Sequence, residues 1–219
     1  NELAEKATRL RFIQSIGAGT DQFGRDVLSA KGIRLASASG VNMKAVSEHA
    51  MALILALVRR LPEARDNQAK HHWRGMIGDL TQREDELGGK TLVIVGLGNI
   101  GGRLARLAKA FDMHVIGVRR DPAAGKGAAD SVHAIADLNS LLPQADIVAL
   151  TCPLTKETEN LIDAKALAAM KPSAYLINVA RGKVVNEHAL VAALKKGTIT
   201  DAARACGGEE TLPATYSLW

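Results

Sequence analysis

The spacing of hydrophobic and polar residues divides the chain into two parts. In the first part, short apolar runs at 10–14 and 33–37 predict two strands, with a glycine turn at 15–19 and a short helix near 26–30 between them. Apolar residues then recur every three or four positions from 44 to 61 and predict a helix that is apolar around most of its circumference. A helix of this kind is expected to be buried on all sides.

The second part alternates short apolar runs with amphipathic stretches. We expect strands at 91–95, 114–118, 146–150 and 174–179, and helices at 99–111, near 137–142, at 163–169 and at 187–195. Strands that alternate with helices at this spacing form right-handed crossovers and a parallel sheet with helices on both faces. The predicted fold class is therefore α/β, with a Rossmann-type doubly wound parallel sheet.

Composition narrows the classes of function. With 47% hydrophobic residues in 219, the chain can bury a sizeable core. Its net charge is +5, but the basic residues are dispersed and aromatics make up 3%, so the stacking surfaces of nucleic-acid-binding proteins are lacking. Cys152 and Cys206 show no paired spacing, which argues against disulfides and zinc. The histidines show no ligand spacing either, so we expect no metal site.

The same pattern bears on location. The longest candidate for a membrane span, at 50–58, is much shorter than the roughly 20 residues that a bilayer requires. The first residues lack the apolar centre of a signal peptide. We therefore expect a cytoplasmic protein with neither a membrane partner nor a nucleic-acid partner.

A glycine-rich turn follows the strand at 91–95. Gly96, Gly98 and Gly101 lie between that strand and an amphipathic helix, and a second strand comes after it. In this context Gly96 permits a tight turn, Gly98 lets a pyrophosphate approach the backbone, and Gly101 allows close packing of helix on strand. Asn99 and Ile100 then open the helix, whose free N–H groups and positive end attract phosphate. We expect dinucleotide binding; the alternative is a tight turn without a ligand.

The end of the next strand bears on the choice of cofactor. A carboxylate there would hold the ribose hydroxyls of NAD, but the sequence runs into Arg119 and Arg120 before it reaches Asp121. A guanidinium at this place fits a 2′-phosphate. We therefore expect NADP(H) to be preferred, with NAD(H) as a possible cofactor. In the alternative reading, both arginines are exposed loop residues and Asp121 holds the ribose.

An arginine ends the apolar run at 174–179. Arginine is almost never buried without a partner, so Arg181 either extends over the surface or awaits an anion.

Four stretches together resemble the D-isomer-specific 2-hydroxyacid dehydrogenases, in particular the glyoxylate and hydroxypyruvate reductases. They are SIGAGTD at 15–21, VGLGNIG at 95–101, ADIVALTCPLTKETENLID at 145–163 and MKPSAYLINVARGKVVN at 170–186. The resemblance implies transfer of hydride between NAD(P)H and a small 2-keto acid. It also implies that Arg181 binds the substrate's carboxylate and carbonyl oxygen, and that backbone amides of Ala18 and Gly19 hold the carboxylate. The residues that it places along the cofactor are Thr151, Cys152, Pro153, Thr158, Val179 and Ala180.

Two features depart from the family pattern. In the family, a histidine acts as general acid and a glutamate holds it; Glu210 matches that glutamate, with Glu209 beside it, while the histidine is expected beyond Trp219. A usual aspartate five residues before the glutamate is Ala205. We expect His188 to be a solvated helix residue and His49 a core or interface residue. The alternative function is a nucleotide-binding pseudoenzyme, or a remnant that lacks the acid–base step.

The resemblance also implies a domain division and an assembly. Residues 1–40 match part of a flavodoxin-like substrate domain that the family builds from both chain ends, so the sequence looks like an incomplete copy. Residues 41–219 match the dinucleotide-binding domain, including a dimerisation helix and arm at about 44–75. We expect a homodimer in which Trp73 is an interface anchor. The alternative is a helix packed between two domains of one subunit, with Trp73 capping the core.

Overall fold

A computed structural model describes residues 6–79 and 83–206, and these form two parallel sheets. The smaller sheet pairs β1 (Phe12–Gln14) with β2 (Arg34–Ala36), and helix α1 (Arg25–Ala30) connects them. Leu28 and Ile33 form its small buried core, against which partly buried side chains of Leu10, Ile13, Phe23 and Leu35 pack. The two strands and the short helix that the sequence predicts here are confirmed.

The larger sheet has six strands in the order β5-β4-β3-β6-β7-β8, all parallel. Its strands are β3 (Thr91–Val95), β4 (His114–Arg119), β5 (Ser131–Ala134), β6 (Ile147–Leu150), β7 (Tyr175–Asn178) and β8 (Asp201–Arg204). This is the strand order of dinucleotide-binding domains, and the chain reverses its direction of winding between β3 and β6. Ligands of such sheets bind beyond the carboxyl ends of the strands at that switch point.

Helices cover both faces of the larger sheet. They are α2 (Met43–Val58), α4 (Asn99–Lys109), α5 (Leu138–Leu141), α6 (Ala164–Ala169) and α7 (Glu187–Lys196), whereas α3 (Leu61–Ala69) contacts α2 and has no buried residue. Along β3, Val93 and Val95 pack in the core that α5, α6 and α7 cover, whereas Leu92 and Ile94 pack in the core that α2 and α4 cover. The expected α/β class with helices on both faces is confirmed.

Two strands of the larger sheet are missing from the sequence-based prediction. β5 is a half-buried edge strand, SVHA, and β8 is the edge strand DAAR, which carries charge at both ends. Neither has the apolar run that marks the four central strands. The expected boundary between residues 40 and 41 lies between β2 and α2 and stays a prediction.

The long helix predicted at 44–61 is shorter than expected. α2 ends at Val58, and α3 begins after Arg60, which has a left-handed backbone with φ of 50°. One side of α2 packs against α4, β7 and β8, whereas Ala52 is exposed in the single chain, so burial of the other side against a partner stays a prediction. His49 is exposed in the single chain, so it is not a core residue, and its alternative place at an interface stays a prediction.

Trp73 follows α3 and is 94% exposed, so it caps no core that the described residues form. Among the described residues, no helix is long and apolar enough to cross a membrane, and no three potential ligands cluster as a metal site would require.

Candidate functional site

The glycine-rich turn lies at the switch point of the larger sheet and packs directly on β6. Gly96 has φ of 101°, and a Cβ there would stand 2.7 Å from the backbone N and Cα of Cys152. A Cβ on Gly101 would collide with the carbonyl oxygen of Gly96. Gly98 differs, because a Cβ there would meet no atom within 4 Å. It is the N-cap of α4 and is exposed, while the side chain of Asn99, the first residue of the helix, lies 3.4 Å from the Ser39 hydroxyl.

The segment after β6 is held by its own hydroxyl groups. Thr151 donates its hydroxyl to the carbonyl oxygen of Gly96 at 2.7 Å and thereby fastens the glycine turn. Thr158 is buried; its hydroxyl donates to the carbonyl oxygen of Pro153 at 2.7 Å and accepts from the Thr155 amide at 2.8 Å. Thr158 therefore shapes the loop beside the predicted cofactor site and has no free hydroxyl to offer.

Cys152 is a packing residue in this segment. It is buried, and burial raises the pKa of its thiol to about 11. A thiol that stays protonated at neutral pH is a poor nucleophile. This agrees with its predicted place beside the cofactor, where its backbone and its bulk matter.

Arg119, Arg120 and Asp121 lie at the carboxyl end of β4, as the sequence predicts. Arg119 is the last residue of β4 and donates from Nη1 to the carbonyl oxygen of Gly125 at 3.1 Å. Arg120 and Glu157 form an exposed ion pair, with 3.7 Å between Nη2 and Oε2. Asp121 accepts from the amide of Ala123 at 3.0 Å and caps a single helical turn. Arg119 and Asp121 thus both occupy the end of β4 that decides between the two cofactors.

A buried asparagine sets the turn that carries Arg181. Asn178 ends β7 and is fully buried. Its Oδ1 accepts from the amide of Ala180 at 3.0 Å, and its Nδ2 donates to the carbonyl oxygen of Arg181 at 2.9 Å. The sequence analysis missed this residue, although a lone amide within YLINV was the signal. Val179 is half-buried and Ala180 is buried in the same turn.

Arg181 leaves this turn and reaches the smaller sheet. Its Nε lies 3.3 Å from each carboxylate oxygen of Asp21, and its Nη2 lies 3.2 Å from Oδ1. Burial raises the pKa of Asp21, but hydrogen bonds and the charge of Arg181 outweigh it, so the net pKa lies below the ordinary value. The sequence analysis did not identify Asp21, because nothing local links residues that are 160 positions apart.

The glycine turn of the smaller sheet lies against the same guanidinium. A Cβ on Gly19 would overlap Nη2 of Arg181, so only glycine allows this contact. Ser15 is buried, and its hydroxyl lies 3.2 Å from the carbonyl oxygen of Gly17 and 3.4 Å from that of Gly19. The structure therefore brings together Gly19 and Arg181, which the sequence assigns to one substrate site, with Ala18 in the same turn.

Ala205 comes directly after β8 in the chain. Ala205 donates its amide to the carbonyl oxygen of Asn178 at 2.9 Å. The Arg204 side chain, which is 10% exposed, pairs with Glu187 at 3.3 Å. Glu209 and Glu210 lie outside the described residues. His188 is exposed in the first turn of α7, as expected.

Comparison with known proteins identifies the class to which this fold and site belong. Residues 51–219 match the model of the D-isomer specific 2-hydroxyacid dehydrogenase, NAD binding domain. The chain belongs to that family.

Individual relatives carry several activities. The chain is 38% identical over 219 residues to a glyoxylate/hydroxypyruvate reductase B of Pectobacterium carotovorum, covering 99% of this chain and 68% of the relative. It is 37% identical over 205 residues to a D-3-phosphoglycerate dehydrogenase of Methanocaldococcus jannaschii, covering 92% and 38%. The Aquifex aeolicus D-lactate dehydrogenase, solved with NAD and lactic acid, superposes with a TM-score of 0.85 at 32% identity, covering 95% and 61%. The chain thus spans between about two fifths and two thirds of these relatives.

The residues of the glycine-rich turn fit the nicotinamide cofactor that the family implies. The positive φ of Gly96 directs the chain into α4, and the open space over Gly98 leaves room for a diphosphate. The first N–H groups of α4, beginning at Asn99, lack partners within the helix and can donate to phosphate oxygens. The cofactor roles of Asn99, Ile100 and the residues of the neighbouring strand ends stay predictions.

Proposed function

We propose that this protein is an NAD(P)H-dependent reductase of small 2-keto acids, of the glyoxylate or hydroxypyruvate type. The observation that carries this proposal is the position of Arg181 beside the turn that contains Ala18 and Gly19. This cluster lies at the carboxyl ends of the parallel strands, the same edge at which the glycine-rich turn opens. The similarity to a glyoxylate/hydroxypyruvate reductase supports the choice of substrate class.

The proposed chemistry assigns a distinct task to each group of residues. Arg181 offers a planar, permanently charged fork that suits a 2-keto acid, whose carbonyl oxygen gains negative charge during reduction. The amides of Ala18 and Gly19 hold the substrate's carboxylate. The N-terminus of α4 holds the diphosphate of the cofactor, which supplies the hydride when bound. We assign the proton donor to no histidine of the described residues; Glu210 stays the expected partner of the family's histidine.

The test is an assay of the full-length protein with NADPH or NADH and with glyoxylate, hydroxypyruvate or pyruvate. Loss of absorbance of the reduced cofactor is expected with at least one of these acids. Arg181→Leu is expected to lower kcat/KM by about 100-fold or more, since removal of one oxyanion donor costs that much in other enzymes. Cofactor affinity, measured by calorimetry, is expected to stay within about twofold because Arg181 follows β7, which is two strands from the β3 end that carries the glycine-rich turn.

A second candidate function is a nucleotide-binding protein without turnover. Ala205 favours it, because this position carries an aspartate in the family pattern and here has a methyl group. Cofactor binding by calorimetry, together with no oxidation of NADPH or NADH by any small 2-keto acid, would support this candidate and overturn the reductase.

For the cofactor, the proposal is a preference for NADP(H), with Arg119 and Arg120 as the clamp on the 2′-phosphate. In Arg119→Asp, NADPH affinity is expected to fall by about one to two decades, because a charge-assisted hydrogen bond contributes roughly 1.5–3 kcal/mol. NADH affinity should change little. Lys165→Asp, an equal change of charge on the exposed side of α6, is the control. Equal losses for the two cofactors in Arg119→Asp would contradict the clamp and favour Asp121 on the ribose.

The proposed working form is a cytoplasmic homodimer. In it, the exposed segment that follows α2 would cover part of the partner subunit.

A further inference from the structure

The Arg181 guanidinium is held along one edge by the chain itself. Nε donates to both carboxylate oxygens of Asp21 at 3.3 Å, Nη2 lies 3.2 Å from Oδ1 of the same carboxylate, and Nη1 donates to the carbonyl oxygen of Ala180 at 2.9 Å. A guanidinium has five N–H donors, so one donor on Nη1 and both donors on Nη2 are left without a hydrogen bond to any described residue. The side chain is 43% exposed, so solvent reaches it.

This ion pair differs from the exposed pairs elsewhere on the surface. Its partners come from different sheets, and Gly19 packs against the guanidinium where any side chain would collide with it. Asp21 follows the glycine turn, in which the Ser15 hydroxyl lies 3.2 Å from the carbonyl oxygen of Gly17 and 3.4 Å from that of Gly19. The low pKa of Asp21 keeps its carboxylate charged at neutral pH. The guanidinium is therefore restrained in orientation as well as neutralised in part.

We infer that Asp21 is a positioning residue for Arg181: it holds the Nε edge of the guanidinium so that the free donors on Nη1 and Nη2 face the keto acid. This inference rests on the proposed reductase function and names a residue that acts through Arg181. Asp21 would touch neither the substrate nor the cofactor. The pair would also fix the glycine turn at the distance from Arg181 that a small planar acid requires, because the same loop carries Ala18 and Gly19.

In the opposite role, Asp21 would compete with the substrate's carboxylate for the guanidinium of Arg181. If the substrate's carboxylate takes the Nε edge, Asp21 must leave first, and its removal would tighten substrate binding. The two roles predict changes of opposite sign in one variant, so one experiment separates them.

The experiment compares the full-length protein with Asp21→Asn, Asp21→Glu and the control Asp26→Asn, which makes the same chemical change on exposed α1. For Asp21→Asn, kcat/KM for the best keto acid is expected to fall about 10- to 100-fold, the value of one charge-assisted hydrogen bond. The loss should include kcat, because a misdirected guanidinium stabilises the developing charge poorly. Asp21→Glu should recover part of it. Asp26→Asn and the NADPH affinity of every variant should be unchanged.

A double-mutant cycle separates positioning from a purely structural role. Lysine at position 181 lacks the planar fork, so in the Arg181→Lys background Asp21→Asn should have little further effect. If Asp21 served only to fold its loop, the two effects would add. Additive effects, an unchanged kcat/KM, or a lower KM at constant kcat in Asp21→Asn would each overturn the inference.

Binding of oxalate, a small planar dianion that cannot be reduced by hydride, tests the inference if the full-length protein turns over no keto acid. Calorimetry should then show oxalate binding that Arg181→Leu abolishes and that Asp21→Asn weakens about tenfold or more. Unchanged or tighter binding in Asp21→Asn, or no Arg181-dependent binding at all, would overturn it. Failure of the reductase proposal is read separately, from the absence of turnover.

Discussion

At the scale of single residues, the buried side-chain amide of Asn178 orients the turn that carries Arg181 into the candidate substrate site. Asn178 satisfies the amide of Ala180 and the carbonyl group of Arg181 with its side chain, while its own carbonyl oxygen accepts from Ala205. A buried polar group without a hydrogen-bond partner lowers the free energy of unfolding by more than a typical hydrogen bond raises it. The turn after β7 therefore depends on this side chain, and so does the direction in which Arg181 leaves the sheet.

Replacement of this amide should lower both stability and substrate affinity. In Asn178→Ala, the free energy of unfolding is expected to fall by about 2–3 kcal/mol, because the buried amide of Ala180 loses its hydrogen-bond partner. KM for the keto acid should rise as Arg181 loses its fixed direction. Chemical denaturation and steady-state kinetics measure the two effects. Asn139→Ala, on the exposed side of α5, is the control, and an equally small effect at both sites would contradict this role for Asn178.

The thiol of Cys152 gives a prediction for pH dependence. Its pKa of about 11 stands above the ordinary 9.0, so the thiolate fraction at pH 8 is about 100-fold lower than for a free cysteine. In a Cys206→Ser variant, Cys152 should be alkylated at pH 8 at least about 100-fold more slowly than a free cysteine. Its alkylation should become faster as the pH rises towards 11. Mass spectrometry after timed alkylation measures it. Labelling at the rate of free cysteine would show that Cys152 is an accessible, reactive thiol.

At the scale of elements, the glycine-rich turn joins β3 to α4, and its glycines are needed for two different reasons. Gly96 and Gly101 are needed for packing, since a Cβ on either would collide with the backbone of the chain itself. Gly98 has space around it and is needed only if a ligand comes close to the backbone. Folding therefore requires Gly96 and Gly101, whereas cofactor binding would require Gly98.

A matched pair of substitutions separates these requirements. Gly96→Ala places a Cβ 2.7 Å from the backbone of Cys152 at a φ of 101°, so we expect a loss of stability of more than about 2 kcal/mol. Gly98→Ala should change stability by less than about 1 kcal/mol and still weaken NADPH binding at least tenfold. Thermal unfolding and calorimetry measure the two quantities. Unchanged cofactor affinity in Gly98→Ala would argue against a pyrophosphate at this turn.

The elements also show what sequence patterns can predict. The four central strands are buried on both faces and read as apolar runs, so they were predicted to within one or two residues. The edge strands β5 and β8 lack that signal, because only part of each is covered. Within the site, the glycine motif and Arg181 stand out locally. Asp21 does not, because its role arises only when the two sheets meet.

At the scale of the whole molecule, two large apolar side chains are exposed just after the polar helix α3 in the described part of the chain. The arm, residues 59–75, continues from α2 through α3 and ends near Trp73, which is 94% exposed; Met76, just beyond it, is 96% exposed. Both line an open groove of about 1020 Å³ together with α3. Exposed apolar patches of this kind mark interaction surfaces. The family resemblance makes a second copy of the chain the expected partner.

We expect the complete protein to be a twofold-symmetric homodimer that buries this surface, since cyclic dimers are the commonest closed assembly. Multi-angle light scattering at micromolar concentration should give the mass of two chains. Aromatic anchors often contribute 2 kcal/mol or more to an interface, so Trp73→Ala should raise the dissociation constant of the dimer by about 30-fold or more. Phe111→Ala, a change of an exposed aromatic residue outside the arm, should leave it unaltered. A monomeric mass for the unmodified protein would exclude the dimer, whereas an unchanged dissociation constant in Trp73→Ala would exclude only the anchor, because the rest of the arm and the half-buried side of α2 could still hold the two chains together.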